Sequence, residues 1–403
     1  MYYPRRPKHV LLLLLIVSLF GIAGWGVYAS GVTPLGPRVT RQDATATAKE
    51  ALRQLPTPTP LAVIPDGPDA VTPRSTVYVD GAAMPVSMVF TPDGRLLFSE
   101  VTEGTIRVAE RAGDQARLLP QPFAQLEIAK GGESGALGIA LDPGYAQNHW
   151  VYFYYSEPDP DRKDRRPLRN RIVRFTDVNN VGTDMTVILD NIAISRQGRH
   201  NGGRLLFGPD GKLYVTVGNA EVKENSQSLE NPNGKVLRLN ADGTIPADNP
   251  FRGSPIYALG FRNMFGLAIH PITKTVYVTE NSGDSHDEIN RVRPGANYGF
   301  PYFEGIGNDA QYVDPIWESG PRTIGPTGMT FYTGDQLPQF KGDLFWCAFN
   351  TGTLTRMRLG GRDFDQVVGA QEIIQGCFLD VTNGPDGALY YSSVTGQIFR
   401  LGK

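Results

Sequence analysis

Three polar clusters in this 403-residue chain hold side chains suited to chemistry. The first is 198–204 (GRHNGGR), where His200, one of only five histidines, sits among glycines that let a backbone approach a ligand. An imidazole titrates near neutrality and is the natural general base. A solvent-exposed loop histidine is the plainer alternative. The second cluster is 260–266 (GFRNMFG). Arg262 offers a planar guanidinium fork and Asn263 an amide, a pair suited to carboxylate or carbonyl oxygens. A structural arginine bonding loop carbonyls would have the same letters. The third is 280–290 (ENSGDSHDEIN), followed by 295–301 (GANYGFP). Asp284, Asp287 and Glu288 put three carboxylates in five residues, a pattern for a hard cation bound through oxygen or for an acidic solvated turn. The spacing is not that of an EF-hand. Residues 305–310 (GIGNDA) match a dinucleotide fingerprint by letters but lack a strand–helix–strand setting.

The elements that position these clusters repeat. An apolar strand, a Pro/Asp/Gly turn and a second strand rich in Val, Leu, Tyr and Phe recur at 88–100, 137–157, 204–218, 266–280, 329–349 and 379–393. Pro-Asp-Gly between alternating strands marks a hairpin, and units of about 55 residues suit four-stranded blades with loops. The expectation is an all-β, six-bladed β-propeller over 76–403. Two unrelated sandwiches would not need one unit six times. Propellers take ligands at the mouth of the central channel, where polar loops interrupt the repeat.

Composition agrees. The 46 glycines and 31 prolines make 77 of 403 residues, about 19% against a usual ~12%, too turn-rich for a helical bundle. With 39 basic and 41 acidic residues and no basic block, a nucleic-acid partner is excluded. Two cysteines, Cys347 and Cys377, exclude a disulfide scaffold; the two are either one disulfide or two buried thiols. Residues 1–30 open with Arg5, Arg6 and Lys8, then run from Val10 to Ala29 without a charge. Such a segment is an N-terminal transmembrane helix that leaves the rest of the chain outside the cytoplasm. The alternative is a signal peptide cleaved near Ala29, which would make the protein secreted. Residues 31–75 read as a Pro-rich linker.

Taken in order, GALGIALDP, RHNGGRL, GKVLRLNADGTIPADNPF, ALGFRNMFGLA, ENSGDSHDEINRVRPGANYGFP, PTGMTFYTGDQLP and GPDGALYYSSVTGQIFRL resemble the soluble quinoprotein glucose dehydrogenases and aldose sugar dehydrogenases. These form the glucose/sorbosone dehydrogenase family, and the resemblance covers about 80–401. It implies a propeller that binds pyrroloquinoline quinone (PQQ) and Ca²⁺ and oxidises a sugar to its lactone, with an electron acceptor left unidentified. On that resemblance His200 is the base for the anomeric hydroxyl. Arg262 and Asn263 contact the quinone, and Arg262 stabilises its developing oxygen charge. Backbone oxygens of Ser282 and Gly283 hold the catalytic Ca²⁺, and Glu288 and Tyr298 mark a second, structural Ca²⁺. Glu133 stands where the family usually has a substrate-contacting Gln. The chain departs from the family at four places. Cys377 and Leu379 replace two quinone-gripping arginines, Asn350 replaces a Lys, and Asn219 replaces the acid that orients the base. Two other readings remain at this level: a non-catalytic propeller that binds a sugar or protein, and a Ca²⁺-dependent lactone hydrolase.

Overall fold

The computed structural model describes residues 64, 66–67 and 70–403, all within the compact unit Leu61–Lys403. The expected transmembrane helix at 10–29 lies outside the described residues, as does most of the 31–75 linker. No helix among the described residues is long and apolar enough to cross a membrane.

Six antiparallel sheets form the blades of a propeller. Their innermost strands are Pro85–Phe90, Ala136–Leu141, Gly202–Phe207, Leu267–Ile269, Pro326–Phe331 and Val381–Asn383, for blades 1 to 6. Each packs against the next, and that of blade 6 returns to that of blade 1. Closure is made by the first strand of the ring. Arg74–Val79 is the outer strand of blade 6 and runs antiparallel to Ile398–Gly402, pairing Arg74 with Gly402 and Thr76 with Arg400. Tying the two ends of the ring into one sheet leaves no open seam. The segment before it is also tethered, because Asp66 pairs with Arg356 at 2.9 Å.

Second strands explain why the repeats are legible. Leu96–Glu100, Leu213–Val217, Val276–Glu280 and Leu344–Ala348 are buried at every residue. A strand covered on both faces by neighbouring blades must be apolar throughout, so these read as continuous hydrophobic runs. The Pro-Asp-Gly turns end on a left-handed residue. Gly94, Gly211 and Gly387 have φ of 88°, 69° and 77°, which other residues reach only with strain.

Two further ties hold the ring. Cys347, in the second strand of blade 5, is disulfide-bonded to Cys377 in the link to blade 6, which settles the choice between disulfide and thiols. The bond spans 30 residues, a loop for which chain entropy alone predicts about 3–4 kcal/mol of stabilisation. At the axis, Arg204 of blade 3 reaches Asp380 of blade 6 at 3.1 Å, with both side chains almost fully buried. Arg204 also donates from Nε to the Phe265 carbonyl, and Asp380 accepts the Met88 N–H of blade 1 at 2.8 Å.

Removing one member of a buried pair leaves an uncompensated charge. Arg204→Met should therefore lower the unfolding free energy by about 3 kcal/mol, measured by urea denaturation. Arg204→Met/Asp380→Leu should recover part of that loss; an Arg204→Met protein as stable as the parent would show that the pair does not hold the axis.

Candidate functional site

The links that enter the inner strands of blades 3 and 4 carry His200 and the Arg262–Asn263 pair to the same end of the channel. Close loop packing sets the position of the first. A Cβ on Gly132 would lie 2.5 Å from the Gln197 carbonyl, and one on Gly198 2.4 Å from that of Gly131. Only glycines let these two loops lie backbone on backbone, and Glu133 N–H then donates to the Gly198 carbonyl at 2.7 Å. His200 itself has φ of 55°.

The imidazole has a defined tautomer. Its Nδ1 lies 2.8 Å from Asn219 Oδ1, which also accepts the Glu221 N–H at 3.0 Å. With the amide oxygen turned toward the ring, Nδ1 carries the hydrogen and Nε2 keeps a lone pair. Burial presses the His200 pKa down to about 3, helped by the positive charges of Arg262 and Arg199 and opposed by Asn219. The ring is therefore neutral across the physiological range.

Carboxylates stitch this base to the Arg-Asn pair. Glu133 Oε2 accepts the His200 N–H at 2.9 Å and Asn263 Nδ2 at 3.0 Å. Burial raises the Glu133 pKa against those bonds. Asn263 Oδ1 in turn accepts the Gly202 N–H, while its own N–H donates to Glu280 at 2.6 Å. Glu280 also accepts the Arg262 N–H, and burial beside Glu288 drives its pKa well above the carboxylate range. Arg262 donates through one terminal nitrogen to the Asn281 carbonyl at 2.8 Å. It makes no ion pair among the described residues. Sequence reasoning noted Glu280 only as a cluster member. Its available mark was a single acid ending the otherwise apolar strand Val276–Glu280.

The third cluster is organised differently from the expectation of three carboxylates facing one cation. Asp287 turns inward, where its oxygens accept the N–H groups of Ser282, Ile324 and Gly325. Among the described residues, no group of three or more His, Cys, Asp or Glu side chains is arranged to hold a metal. The bond to Asp287 holds the Ser282 turn, and Gly283 N–H donates to Glu304 at 3.1 Å. The carbonyls of Ser282 and Gly283 accept no hydrogen bond among the described residues. Glu288 accepts from Asn290 and from the Gly305 N–H, and burial beside Glu304 and Glu318 lifts its pKa to about 8. The Tyr298 hydroxyl is taken up by the Arg291 carbonyl and the Arg293 N–H, with its ring stacked on Phe261 at 4.5 Å. No hydrogen bond joins Tyr298 to Glu288.

At the departures noted in the sequence, Cys377 is consumed by its disulfide and Leu379 is buried. Asn350 is exposed and donates to Thr323.

The profile described as Glucose / Sorbosone dehydrogenase matches residues 82–400. The aldose sugar dehydrogenase of Escherichia coli (strain K12) is 28% identical over 78% of this chain and 88% of its own length. Quinoprotein glucose dehydrogenase B of Acinetobacter calcoaceticus is 31% identical over 59% of this chain and 54% of its own. Among solved structures, the PQQ-bound form of aldose sugar dehydrogenase from Streptomyces coelicolor superposes with a TM-score of 0.71. It is 27% identical over 83% of this chain and 99% of that one.

The tautomer and the depressed pKa of His200 are open to direct test. In a ¹⁵N NMR titration, His200 should stay neutral with hydrogen on Nδ1 from pH 8 to about pH 5. Its folded-state pKa lies below that of free imidazole, so the native state loses stability as pH falls from about 6.5 toward 3. Asn219→Asp places a carboxylate against Nδ1 and should raise the His200 pKa by about 1–3 units. An unchanged titration in that variant would remove Asn219 as the ring's partner.

Proposed function

The chain belongs to the glucose/sorbosone dehydrogenase family, and from that premise we propose that it oxidises an aldose-type sugar to its lactone with PQQ and Ca²⁺. The observation that carries this reading is the single hydrogen-bonded set joining a neutral His200, Glu133, Asn263 and Arg262. It holds a base with a free lone pair beside a guanidinium that makes no ion pair among the described residues and lies in the field of Glu133 and Glu280.

Those residues fit the dione end of PQQ. Arg262 and Asn263 would hold its quinone oxygens, and the Ser282 and Gly283 carbonyls offer hard oxygen donors to Ca²⁺. When bound, PQQ supplies an electrophilic carbon that takes hydride from the sugar. His200 Nε2 accepts the proton of the anomeric hydroxyl. Because the ring is neutral at working pH, none of the enzyme is held in an inactive protonated form. Arg262 places positive charge where oxygen charge develops, in a site already partly shielded from water. Asn263, fixed at three points, keeps the guanidinium and the base in register.

The carboxylate end of the cofactor is matched less well. The positions that the resemblance assigns to gripping cations hold Cys377, Leu379 and Asn350, none of them charged. A hydrogen bond to a charged group is worth roughly 1.5–3 kcal/mol, so losing two weakens binding by about 10²–10⁴-fold. This observation favours a second reading, a propeller that binds a sugar or a protein without turning it over. We also propose that the segment 10–29 anchors the propeller outside the cytoplasm. Proteolysis of intact cells should then digest the propeller, and full protection would refute that placement.

Titration of the full-length protein with PQQ and Ca²⁺, followed by cofactor absorbance, separates the two functional readings. Saturable binding that bleaches when an aldose is added is the expected result. His200→Ala should keep the binding and lose turnover by about 10²–10⁴-fold. Absence of binding at saturating PQQ would overturn the dehydrogenase reading and leave the binding module.

A further inference from the structure

A cavity of about 780 Å³ opens between blades 6 and 1. It lies on the opposite face from His200. His200 and Arg262 sit in links that precede inner strands, whereas this cavity is bordered by Asp386, in the turn after the blade 6 inner strand, and by the blade 1 turn at 112–115.

Its walls carry four cationic side chains, Arg74, Arg111, Arg400 and Lys403, against two acids. One acid is already engaged, since Asp386 pairs with Arg400 at 2.7 Å. Arg74, Arg111 and Lys403 make no ion pair among the described residues. The alternation of the closing strand aims Arg74 and Thr76 at one face, its register shifts between Val77 and Val79, and Thr76 is paired with Arg400 on the neighbouring strand. Arg74 and Arg400 are therefore diagonal like-charged neighbours, of which only Arg400 has a counter-charge, Asp386. Room for Arg400 comes from Gly402, where a Cβ would lie 2.6 Å from its guanidinium. Tyr78 and Tyr390, packed edge to face at 4.8 Å, form an aromatic floor. A concave surface of one sign concentrates ions of the other.

We propose that this cavity binds a phosphate ester. Two surplus positive side-chain charges cover the charge of a phosphate ester, nearly two on a monoester at neutral pH and one on a diester headgroup. The volume leaves space for an organic body against the tyrosines, well beyond what inorganic phosphate fills. The group that carries the phosphate is either a free metabolite-sized ester or a lipid headgroup; the cavity's chemistry is the same for both.

Isothermal titration of the full-length protein with phenyl phosphate and with inorganic phosphate tests the site, alongside flotation with phosphatidylglycerol and phosphatidylcholine vesicles. Phenyl phosphate should bind saturably and more tightly than inorganic phosphate. Arg111 is exposed near the end of the strand Thr105–Ala112, so Arg111→Glu should fold normally while weakening binding at least about tenfold, and Arg111→Lys should retain most of it. Greater loss of flotation on phosphatidylglycerol than on phosphatidylcholine in Arg111→Glu would assign the site to a lipid phosphate. Two results overturn the proposal. One is no saturable, Arg111-dependent binding of phenyl phosphate at about 10 mM together with flotation unaffected by Arg111→Glu. The other is equal binding by parent and variant in both assays.

Discussion

The buried pair between Arg204 and Asp380 is the constraint on which the rest of the molecule depends. Blades 3 and 6 stand opposite each other in the ring, and this contact joins them across the axis at 3.1 Å. Neither charge is isolated. Arg204 reaches the Phe265 carbonyl just before blade 4, and Asp380 collects the Met88 N–H of blade 1 and the Arg204 guanidinium together. Burial raises the Asp380 pKa, and the Arg204 charge and the Met88 N–H oppose that rise. Four blades are thereby registered at one point. The loops that bear His200 and Arg262 leave from the inner strands next to it.

Above that axis, polar order is built from carboxylates that take main-chain hydrogens. Glu133 accepts from His200, Glu280 from Arg262 and Asn263, and Asp287 from Ser282, Ile324 and Gly325. Glu280 and Asp287 are buried and Glu133 is half-buried, and desolvation raises the pKa of each. A buried carboxyl that accepts backbone N–H groups fixes loop geometry without long flexible side chains. The cost is a crowding of carboxyl groups around blade 4, where Glu280, Glu288 and Glu318 are paired in register on three successive strands and the pKa values of Glu280 and Glu288 are raised. Arg262 is the cation set beside this group, which accounts for its place between the base and the acids.

The Cys347–Cys377 disulfide ties another side of the same region. Cys377 stands where the resemblance places a cation, and its sulfur now staples the link between blades 5 and 6 to a fully buried strand. Leu379 beside it is buried. A covalent tie holds this side of the mouth, while the base and the Arg-Asn pair at the other side keep a complete hydrogen-bond set.

The sequence by itself determined the ring. Six strand–turn–strand copies were legible because a strand covered on both faces must be apolar along its whole length, and because a Pro-Asp-Gly turn needs a left-handed glycine at a set offset. It also marked His200, Arg262 and Asn263, since such residue types in Gly-rich loops stand out from the repeat, and Glu133 through the family resemblance. What it did not determine were the partners. Arg204 and Asp380 are 176 residues apart, and Glu133 and Asn263 are 130 apart. The disulfide, the inward turn of Asp287 and the cation-lined cavity between the closing strand and blade 1 are likewise outcomes of ring closure. A local pattern reports which face of a strand is buried. Which distant side chain meets it there is decided only when the blades close on one axis and bring the channel ends of all six together.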